Sequence, residues 1–221
     1  MKIKDKHAIV IGATGLVGQA LVWELQQADD FKSITVVVRK PLDQFNIYEK
    51  VTQVVLNDFL LFQFNDGVNY THAFSCLGST IKQAGSKASF YAIDYQINAH
   101  FADLIKNKNI HFLLVSAIGA NHHSPIFYNR VKGELENYVK TLALNKLSIF
   151  QPSLLIGKHS DVRVFEDCAQ TLFKLAEKMW TKPFKFKPVT AEQLASMMLN
   201  AAQMQTMAFQ CYDNLQIQQT S

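Results

Sequence analysis

Close to the N-terminus the chain reads Ile11-Gly12-Ala13-Thr14-Gly15-Leu16-Val17-Gly18, between an apolar run and a stretch of helical periodicity. The three glycines stand three residues apart, and each has a mechanical role in a strand–turn–helix unit. The first permits a tight turn, the second lets the backbone approach a pyrophosphate, and the third lets the helix pack closely on the sheet. The N–H groups at the start of the helix then face the phosphates. The segment therefore predicts a dinucleotide site, although an ordinary tight turn that binds nothing is the alternative.

Apolar runs and helical stretches alternate along the rest of the chain. The predicted strands are Ala8–Ile11, Ile34–Val38, Val51–Leu56, Ala73–Leu77, Phe112–Val115 and Leu147–Phe150. The predicted helices before residue 157 are Gly15–Gln27, Phe90–Lys106 and Phe127–Leu144. Most of these strands are apolar on both faces, which is typical of a parallel sheet covered by helices on both sides. The sequence thus predicts an α/β protein with a Rossmann-type, doubly wound parallel sheet.

The length of 221 residues suits one core with an attached lobe. After Gly157 the rhythm changes, and amphipathic helices are predicted over Val164–Trp180 and Ala191–Gln203. We expect one domain over residues 1–221, in which residues 158–221 form a small C-terminal lobe on the substrate side. The carboxyl ends of the strands, where an open α/β sheet binds its ligand, are the natural place for such a lobe.

Composition limits the partners and the compartment. A net charge of +4 is too weak to indicate nucleic acid, and no apolar run approaches the ~18–20 residues that cross a membrane. We interpret the basic run Lys174–Lys187 as a solvated helix face rather than a surface that binds nucleic acid or a membrane. Three widely spaced cysteines, Cys76, Cys168 and Cys211, form neither a disulfide framework nor a zinc pattern. We expect a cytoplasmic protein with a small-molecule substrate and no metal, as a monomer or a homodimer.

The end of the second predicted strand bears on the choice of cofactor. NAD(H) sites usually place an acidic residue there to hold the ribose 2′-hydroxyl, whereas here Val38 is followed by Arg39 and Lys40. A guanidinium can clamp a 2′-phosphate, so NADP(H) is favoured over NAD(H), with two solvated surface cations as the alternative. Asp58, which follows the third strand, is placed to bond the adenine edge.

A serine, a tyrosine and a lysine form a candidate catalytic set. Tyr128 and Lys132 stand four apart on one helical face, and Ser116 ends the preceding strand. A free phenol, with a pKa near ~10, is a poor acid–base catalyst at neutral pH, and a nearby ammonium favours its ionised form. We expect Lys132 also to hold the nicotinamide ribose, and Ser116 to donate to the substrate oxygen while Tyr128 shuttles a proton. Core packing is the alternative role for a tyrosine at the start of a helix.

These residues together resemble the short-chain dehydrogenase/reductase superfamily, and within it the Tat-interacting-protein-like oxidoreductases. The resemblance covers about residues 5–205. It is carried by Gly12–Gly18, Val38–Lys40, Ser75–Thr80 with Ala84-Gly85, Tyr128–Glu134, and Gln151–Leu155. It implies a Rossmann fold, bound NADPH and a Ser/Tyr/Lys catalytic set.

The same resemblance adds cofactor-binding residues to those already named. It assigns the segment after the fourth strand to the ribose and nicotinamide side. The complete predicted set is Gly12, Ala13, Thr14, Gly15, Leu16, Val17, Arg39, Lys40, Asp58, Cys76, Leu77, Gly78, Ser79, Thr80, Lys132 and Pro152. Two positions depart from the family: Ala117 stands where a second serine is common, and Gln151 replaces an arginine.

Three functions stay open at this point. The first is an NADP(H)-dependent oxidoreductase acting on a small carbonyl or alcohol through the Ser/Tyr/Lys set. The second is a non-catalytic NADPH-binding regulator or assembly factor. The third is a nucleotide-sugar epimerase or dehydratase, for which ~60 residues would have to form the whole substrate lobe.

Overall fold

The computed structural model describes residues 5–64, 69–156 and 184–220. Its strands are β1 (Lys6–Ile11), β2 (Phe31–Val38), β3 (Val51–Val55), β4 (His72–Ser75), β5 (His111–Val115), β6 (Lys146–Gln151), β7 (Leu155–Ile156), β8 (Val189–Thr190) and β9 (Phe209–Asp213). Its α-helices are α1 (Leu16–Gln27), α2 (Ile81–Ala84), α3 (Lys87–Tyr91), α4 (Asn98–Ile105), α5 (Phe127–Thr141), α6 (Ala191–Met204) and α7 (Asn214–Gln218).

A seven-stranded parallel sheet in the order β3-β2-β1-β4-β5-β6-β9 forms the middle layer. The buried strands alternate between two cores because successive side chains point to opposite faces. Ala8 and Val10 pack into the core that contains α1 and α6, whereas Ile9 and Ile11 pack into the core with α4 and α5. The predicted fold class, a Rossmann-type parallel sheet with helices on both faces, is confirmed.

The boundaries differ from the sequence prediction in two informative places. The fourth strand ends at Ser75, two residues earlier than predicted, so that Cys76 and Leu77 belong to a loop over the glycine turn. The helix predicted over Phe90–Lys106 is interrupted, because a π-helical turn at Ala92–Ile97 separates α3 from α4. Hydrophobic periodicity does not reveal either feature, since both depend on contacts with another part of the chain.

The end of the chain adds to the main domain. The sequence did not indicate β9, which pairs with β6 as an edge strand, nor the small β7–β8 sheet. The predicted helix Ala191–Gln203 corresponds to α6, which packs against α1. Of the lobe predicted over 158–221, residues 158–183, which include the predicted helix Val164–Trp180, and residue 221 lie outside the described residues.

Two features are absent from the described residues, a membrane-spanning helix and a cluster of metal ligands. Within residues 5–64, 69–156 and 184–220, no helix has the length and apolar character needed to span a bilayer. Over the same residues, no three His, Cys, Asp or Glu side chains gather as ligands for a metal ion.

Two buried histidines lie at the amino end of the sheet, away from the carboxyl ends of the strands. His72 and His111 are paired in register on β4 and β5, and their ring centroids are 5.6 Å apart. Burial, with the positive charge of Lys6, lowers the pKa of His72 to about 4. Burial, with the neighbouring His72, lowers the pKa of His111 to about 3. Both imidazoles are therefore neutral in the folded protein at physiological pH.

This pair predicts a loss of stability in mild acid. Unfolding returns both imidazoles to water, where their pKa is near 6.5, so the unfolded chain binds protons that the folded chain does not. We expect the free energy of unfolding to fall as the pH drops below 6.5, by roughly 2 kcal/mol per buried histidine at about pH 5. Urea unfolding at about pH 7.5 and 5 measures it.

Two variants provide the controls. His111→Gln removes one titrating group and keeps a donor for the Ser148 oxygen, which lies 2.7 Å from the His111 Nε2 atom. Its acid loss should be about half that of the parent protein. His123→Gln, on an exposed loop, should change nothing. An equal loss of unfolding free energy in acid in the parent protein and both variants would contradict the role given to the buried histidines.

Candidate active site

The glycine turn between β1 and α1 is packed too closely for side chains at two of its three glycines. Gly12 has a φ of +75°, and a Cβ atom there would lie 2.4 Å from the Cys76 carbonyl carbon. A Cβ atom at Gly18 would lie 2.1 Å from the Gly12 oxygen. Gly15 is different, because a Cβ atom there would lie 3.4 Å from the Gly12 oxygen, which is an ordinary contact distance. The first and third glycines are thus required by protein contacts, and the middle one faces outward.

The start of α1 has the properties of an anion site. Gly15 caps the helix without a side-chain hydrogen bond, and the first turn contains no acidic residue. Thr14, Gly15 and Leu16 are exposed. The N–H groups at a helix start carry a partial positive charge and lack intrahelical partners, so they suit a phosphate group. This geometry fits the pyrophosphate of a dinucleotide.

Charged side chains follow β2 and β3 at the same sheet edge. Arg39 and Lys40 are exposed directly after β2, and neither forms an ion pair with another described residue. The predicted adenine partner, Asp58, caps a 3₁₀ turn at Phe59–Leu61 by accepting from the Leu60 N–H at 2.9 Å. One carboxylate oxygen of Asp58 is therefore engaged locally.

The loop after β4 passes beside the glycine turn. The Cys76 N–H donates to the Ile11 oxygen at 3.0 Å, which brings this loop against Gly12. Burial raises the pKa of the Cys76 thiol to about 12, so the group is an inert neighbour rather than a nucleophile. Further along, a Cβ atom at Gly78 would lie 3.3 Å from both the Lys132 Nζ and an Asp94 oxygen. The loop thus joins the glycine turn to Lys132.

Lys132 is buried and charged. Its side chain is 4% exposed, and its Nζ lies 2.7 Å from the Oδ1 of Asp94, which is fully buried. Burial is the largest single influence and works against the charge, but Asp94, Tyr128 and Glu136 together outweigh it and raise the pKa of Lys132. The Tyr128 ring packs on Phe90 at 5.4 Å between centroids. Tyr128 therefore stands one helical turn before a buried lysine whose charge Asp94 helps to hold.

Ser116 points into a buried polar cluster. Its hydroxyl donates to Glu136 Oε1 at 2.5 Å, and Ser116 is 5% exposed. The Gln151 amide donates to both oxygens of Glu136, at 2.9 and 3.1 Å, and Lys140 lies 3.4 Å from Oε2. Gln151 thus binds the same carboxylate as Ser116. The role of Ser116 toward a substrate stays a prediction.

The remaining predicted residues have defined positions. Ala117 is buried, and Pro152, directly after β6, accepts a hydrogen bond through its oxygen from the Ile118 N–H at 2.8 Å. Sequence reasoning missed Asp94 and Asn98, which are both fully buried. The only signal in the sequence was their four-residue spacing, which places both on one helical face, and Gln96, His100 and Asp103 in the same stretch make that signal weak.

The glycine turn, the outward-facing start of α1 and the Tyr128–Lys132 pair lie at the carboxyl edge of a doubly wound parallel sheet. This combination defines the class of the protein, a short-chain dehydrogenase/reductase with a Rossmann fold. No family model matches the chain. Individual relatives are nevertheless clear.

The FMP52 protein of Debaryomyces hansenii is 34% identical over 204 residues, which cover 88% of this chain and 87% of that protein. The HTATIP2 protein of Rattus norvegicus is 29% identical over 192 residues, covering 86% and 79%. The chain belongs to the family of FMP52 and HTATIP2, an atypical branch of the short-chain dehydrogenase/reductases. The resemblance to Tat-interacting-protein-like sequences is thereby confirmed.

Solved structures support the same fold at low sequence identity. A UDP-N-acetylglucosamine 4-epimerase from Methanobrevibacter ruminantium M1 has a TM-score of 0.68 and 16% identity, covering 95% of this chain and 77% of that one. The Bordetella bronchiseptica enzyme WbmF, solved in complex with NAD+, has a TM-score of 0.65 and 14% identity, covering 96% and 73%.

One expectation from the sequence is wrong. A cytoplasmic location was inferred from the odd and scattered cysteines. The FMP52 relatives from Debaryomyces hansenii and Candida albicans are named as mitochondrial proteins. The number of cysteines reports only a reducing environment, and a reducing environment does not distinguish one compartment from another.

Proposed function

We propose that this protein is an NADP(H)-dependent oxidoreductase acting on a small carbonyl or alcohol substrate. The observation that carries the proposal is the buried, charged Lys132 beside Tyr128, against the loop that approaches the glycine turn. A lysine whose charge is maintained in this way is suited to stabilising a phenolate. The nicotinamide of such a cofactor, when bound, would exchange a hydride with the substrate carbon.

The roles of the chain's own groups follow from this proposal. In the reducing direction the Tyr128 hydroxyl gives its proton to the substrate's carbonyl oxygen, and the Lys132 ammonium stabilises the phenolate that remains. In the oxidising direction the phenolate takes the proton back. The start of α1 holds the pyrophosphate, and the Cys76–Thr80 loop lines the ribose and nicotinamide side.

Arg39 provides the test of cofactor choice. We propose that its exposed guanidinium, which has no ion pair among the described residues, binds the 2′-phosphate of NADP(H). A charge-assisted hydrogen bond is worth about 1.5–3 kcal/mol, so Arg39→Ala should weaken NADPH binding about 10–100-fold. The affinity for NADH should change by less than about twofold, because NADH lacks that phosphate. Changes in the fluorescence of NADPH and of NADH on titration with the protein measure the two dissociation constants.

Lys32→Ala is the matched control, since Lys32 is an exposed cation at the opposite end of β2 that donates to the Asp29 oxygen at 2.9 Å. Its affinities should equal those of the parent protein. An equal loss of NADH and NADPH affinity in Arg39→Ala would contradict a 2′-phosphate role. Equal binding of the two cofactors by the parent protein would contradict the NADP(H) preference.

A second candidate function is a non-catalytic NADPH-binding regulator or assembly factor. The observation that favours it is the engagement of Ser116, whose hydroxyl donates to the buried Glu136, together with Ala117 at the next position. A serine in this state offers no free proton to a substrate oxygen. Turnover distinguishes the two candidates: the regulator would bind NADPH and oxidise none of it with a broad set of carbonyl compounds.

A further inference from the structure

Asp94 has an unusual position and surroundings. It lies in the π-helical turn Ala92–Ile97 between α3 and α4, and it is fully buried. π-Helical turns are rare in proteins as a whole, but those that occur often lie at functional sites, because the extra residue redirects side chains. A buried carboxylate is costly unless charges and hydrogen bonds compensate it. The groups that compensate Asp94 therefore indicate why it is there.

Those groups belong to the predicted cofactor site. The Ser79 N–H and Ser79 hydroxyl both donate to Asp94 Oδ2 at 2.9 Å. The Lys132 ammonium lies 2.7 Å from Oδ1. One carboxylate thus joins the loop after β4 to the lysine on α5. Gly78 covers the ion pair, and the two charged atoms would lie 3.3 Å from a Cβ at that position.

Asn98, one turn further along, anchors the same loop at a second point. Its amide donates to the backbone oxygens of Leu77 at 3.4 Å and of Asp94 at 3.2 Å, and its own side-chain oxygen accepts from the Ser75 hydroxyl. The loop is therefore tied to this helical segment on both sides of Gly78. Only the attachment through Asp94 also contacts a charged side chain.

The groups facing Lys132 show which one governs its charge. They are Asp94 from the π-helical turn, and Tyr128 and Glu136 from its own helix. Glu136 already accepts hydrogen bonds from Ser116 and Gln151, which spread over both of its oxygens. Asp94 is the contact at ion-pair distance. Loss of its charge would leave Lys132 in a buried position with little compensation.

We infer that Asp94 is a positioning residue, which holds Lys132 charged and oriented and fixes Ser79 of the cofactor loop relative to it. The functional part of this inference rests on the proposed function, because the loop and the lysine are the groups assigned to the nicotinamide side. Asp94 itself acts through Lys132 and Ser79. The contact therefore sets the pH range over which the site keeps its cation.

The experiment compares the parent protein with Asp94→Asn, which keeps the shape and removes the charge. Lysine labelled with ¹³C at Cε reports protonation by NMR, and the Lys132 signal is the one missing in Lys132→Met. In the parent protein it should titrate above the ordinary value of about 10.4. In Asp94→Asn its midpoint should fall by about 1–3 pH units. NADPH affinity, measured from about pH 7 to 10, should then decline with rising pH in the variant alone.

Asp103→Asn is the matched control, because Asp103 lies on α4 and accepts from Tyr138, 2.9 Å away, without contacting Lys132. It should behave as the parent protein in both measurements. A Lys132 midpoint that is the same in the parent protein and Asp94→Asn would overturn the inference. If Asp94→Asn does not fold, a parent midpoint at or below the ordinary lysine value overturns it as well. If the parent protein binds no dinucleotide, the proposed function fails, while the NMR titration still decides the role of Asp94.

Discussion

Tyr128→Phe is expected to lower NADPH-dependent turnover of a carbonyl substrate by about 10²–10⁴-fold, the range typical for loss of a general acid. The variant removes only the hydroxyl, and the ring that packs on Phe90 at 5.4 Å is kept. Cofactor binding should therefore survive. A dinucleotide present at about 100 times its Kd should still stabilise the variant by about 2.7 kcal/mol, which a thermal shift detects.

Tyr138→Phe is the matched control on the same helix. The Tyr138 hydroxyl donates to the Asp103 carboxylate, at 2.9 and 3.0 Å, and it is not among the groups that face Lys132. Its removal should leave turnover within about twofold, since exposed or partly buried hydrogen bonds contribute modestly. Full activity in Tyr128→Phe would contradict the proposed role of Tyr128 and Lys132 in catalysis. Inactivity of the parent protein against all carbonyl compounds, with NADPH bound, would favour the regulator.

Gly12→Ala is expected to destabilise the fold by about 2–5 kcal/mol. Left-handed backbone at a non-glycine residue costs about 1–2 kcal/mol, and forcing an atom into a packed region adds about 1–3 kcal/mol. Both apply, because Gly12 has a φ of +75° and its Cβ would meet the Cys76 carbonyl carbon at 2.4 Å. For a chain of this length the melting temperature should drop on the order of 10 °C. Urea unfolding and a thermal melt measure the loss.

Gly85→Ala separates the two causes. Gly85 ends α2 with a φ of +81°, and no atom lies within 4 Å of a Cβ built there. It shares the backbone strain of Gly12 without the clash, so its loss should be about 1–2 kcal/mol. Equal losses in the two variants would mean that the contact with the β4 loop is unimportant. A Gly12→Ala protein of unchanged stability would contradict the close approach altogether.

Gly12 and Asp94 lie at the two ends of the same loop, the one that follows β4. Gly12 keeps the β4 loop against the glycine turn, and Asp94 keeps the far end of that loop against Lys132. A shift of the loop should therefore affect both the pyrophosphate end and the nicotinamide end of the site. We expect Gly12→Ala to weaken dinucleotide binding as well as folding, because both depend on this contact.

Much of the fold could be predicted because its signals are local. The apolar β-branched runs and the helical periodicity gave the parallel sheet, since each pattern needs only neighbouring residues. The edge strand β9 was not predicted because its apolar residues do not follow its burial: Phe209 and Cys211 are exposed, whereas Tyr212 is buried. Its pairing with β6 depends on a long-range contact that no local pattern encodes.

The sequence by itself determined the glycine turn, the cations after β2 and the spacing of Tyr128 and Lys132, because these depend on local backbone geometry and residue chemistry. The tertiary structure alone decided what the polar groups contact. It turned Ser116 toward Glu136 and brought Asp94 to Lys132 across 38 positions of chain. The physical reason is that a buried charge must find its partner wherever packing places one, and packing is a property of the whole fold.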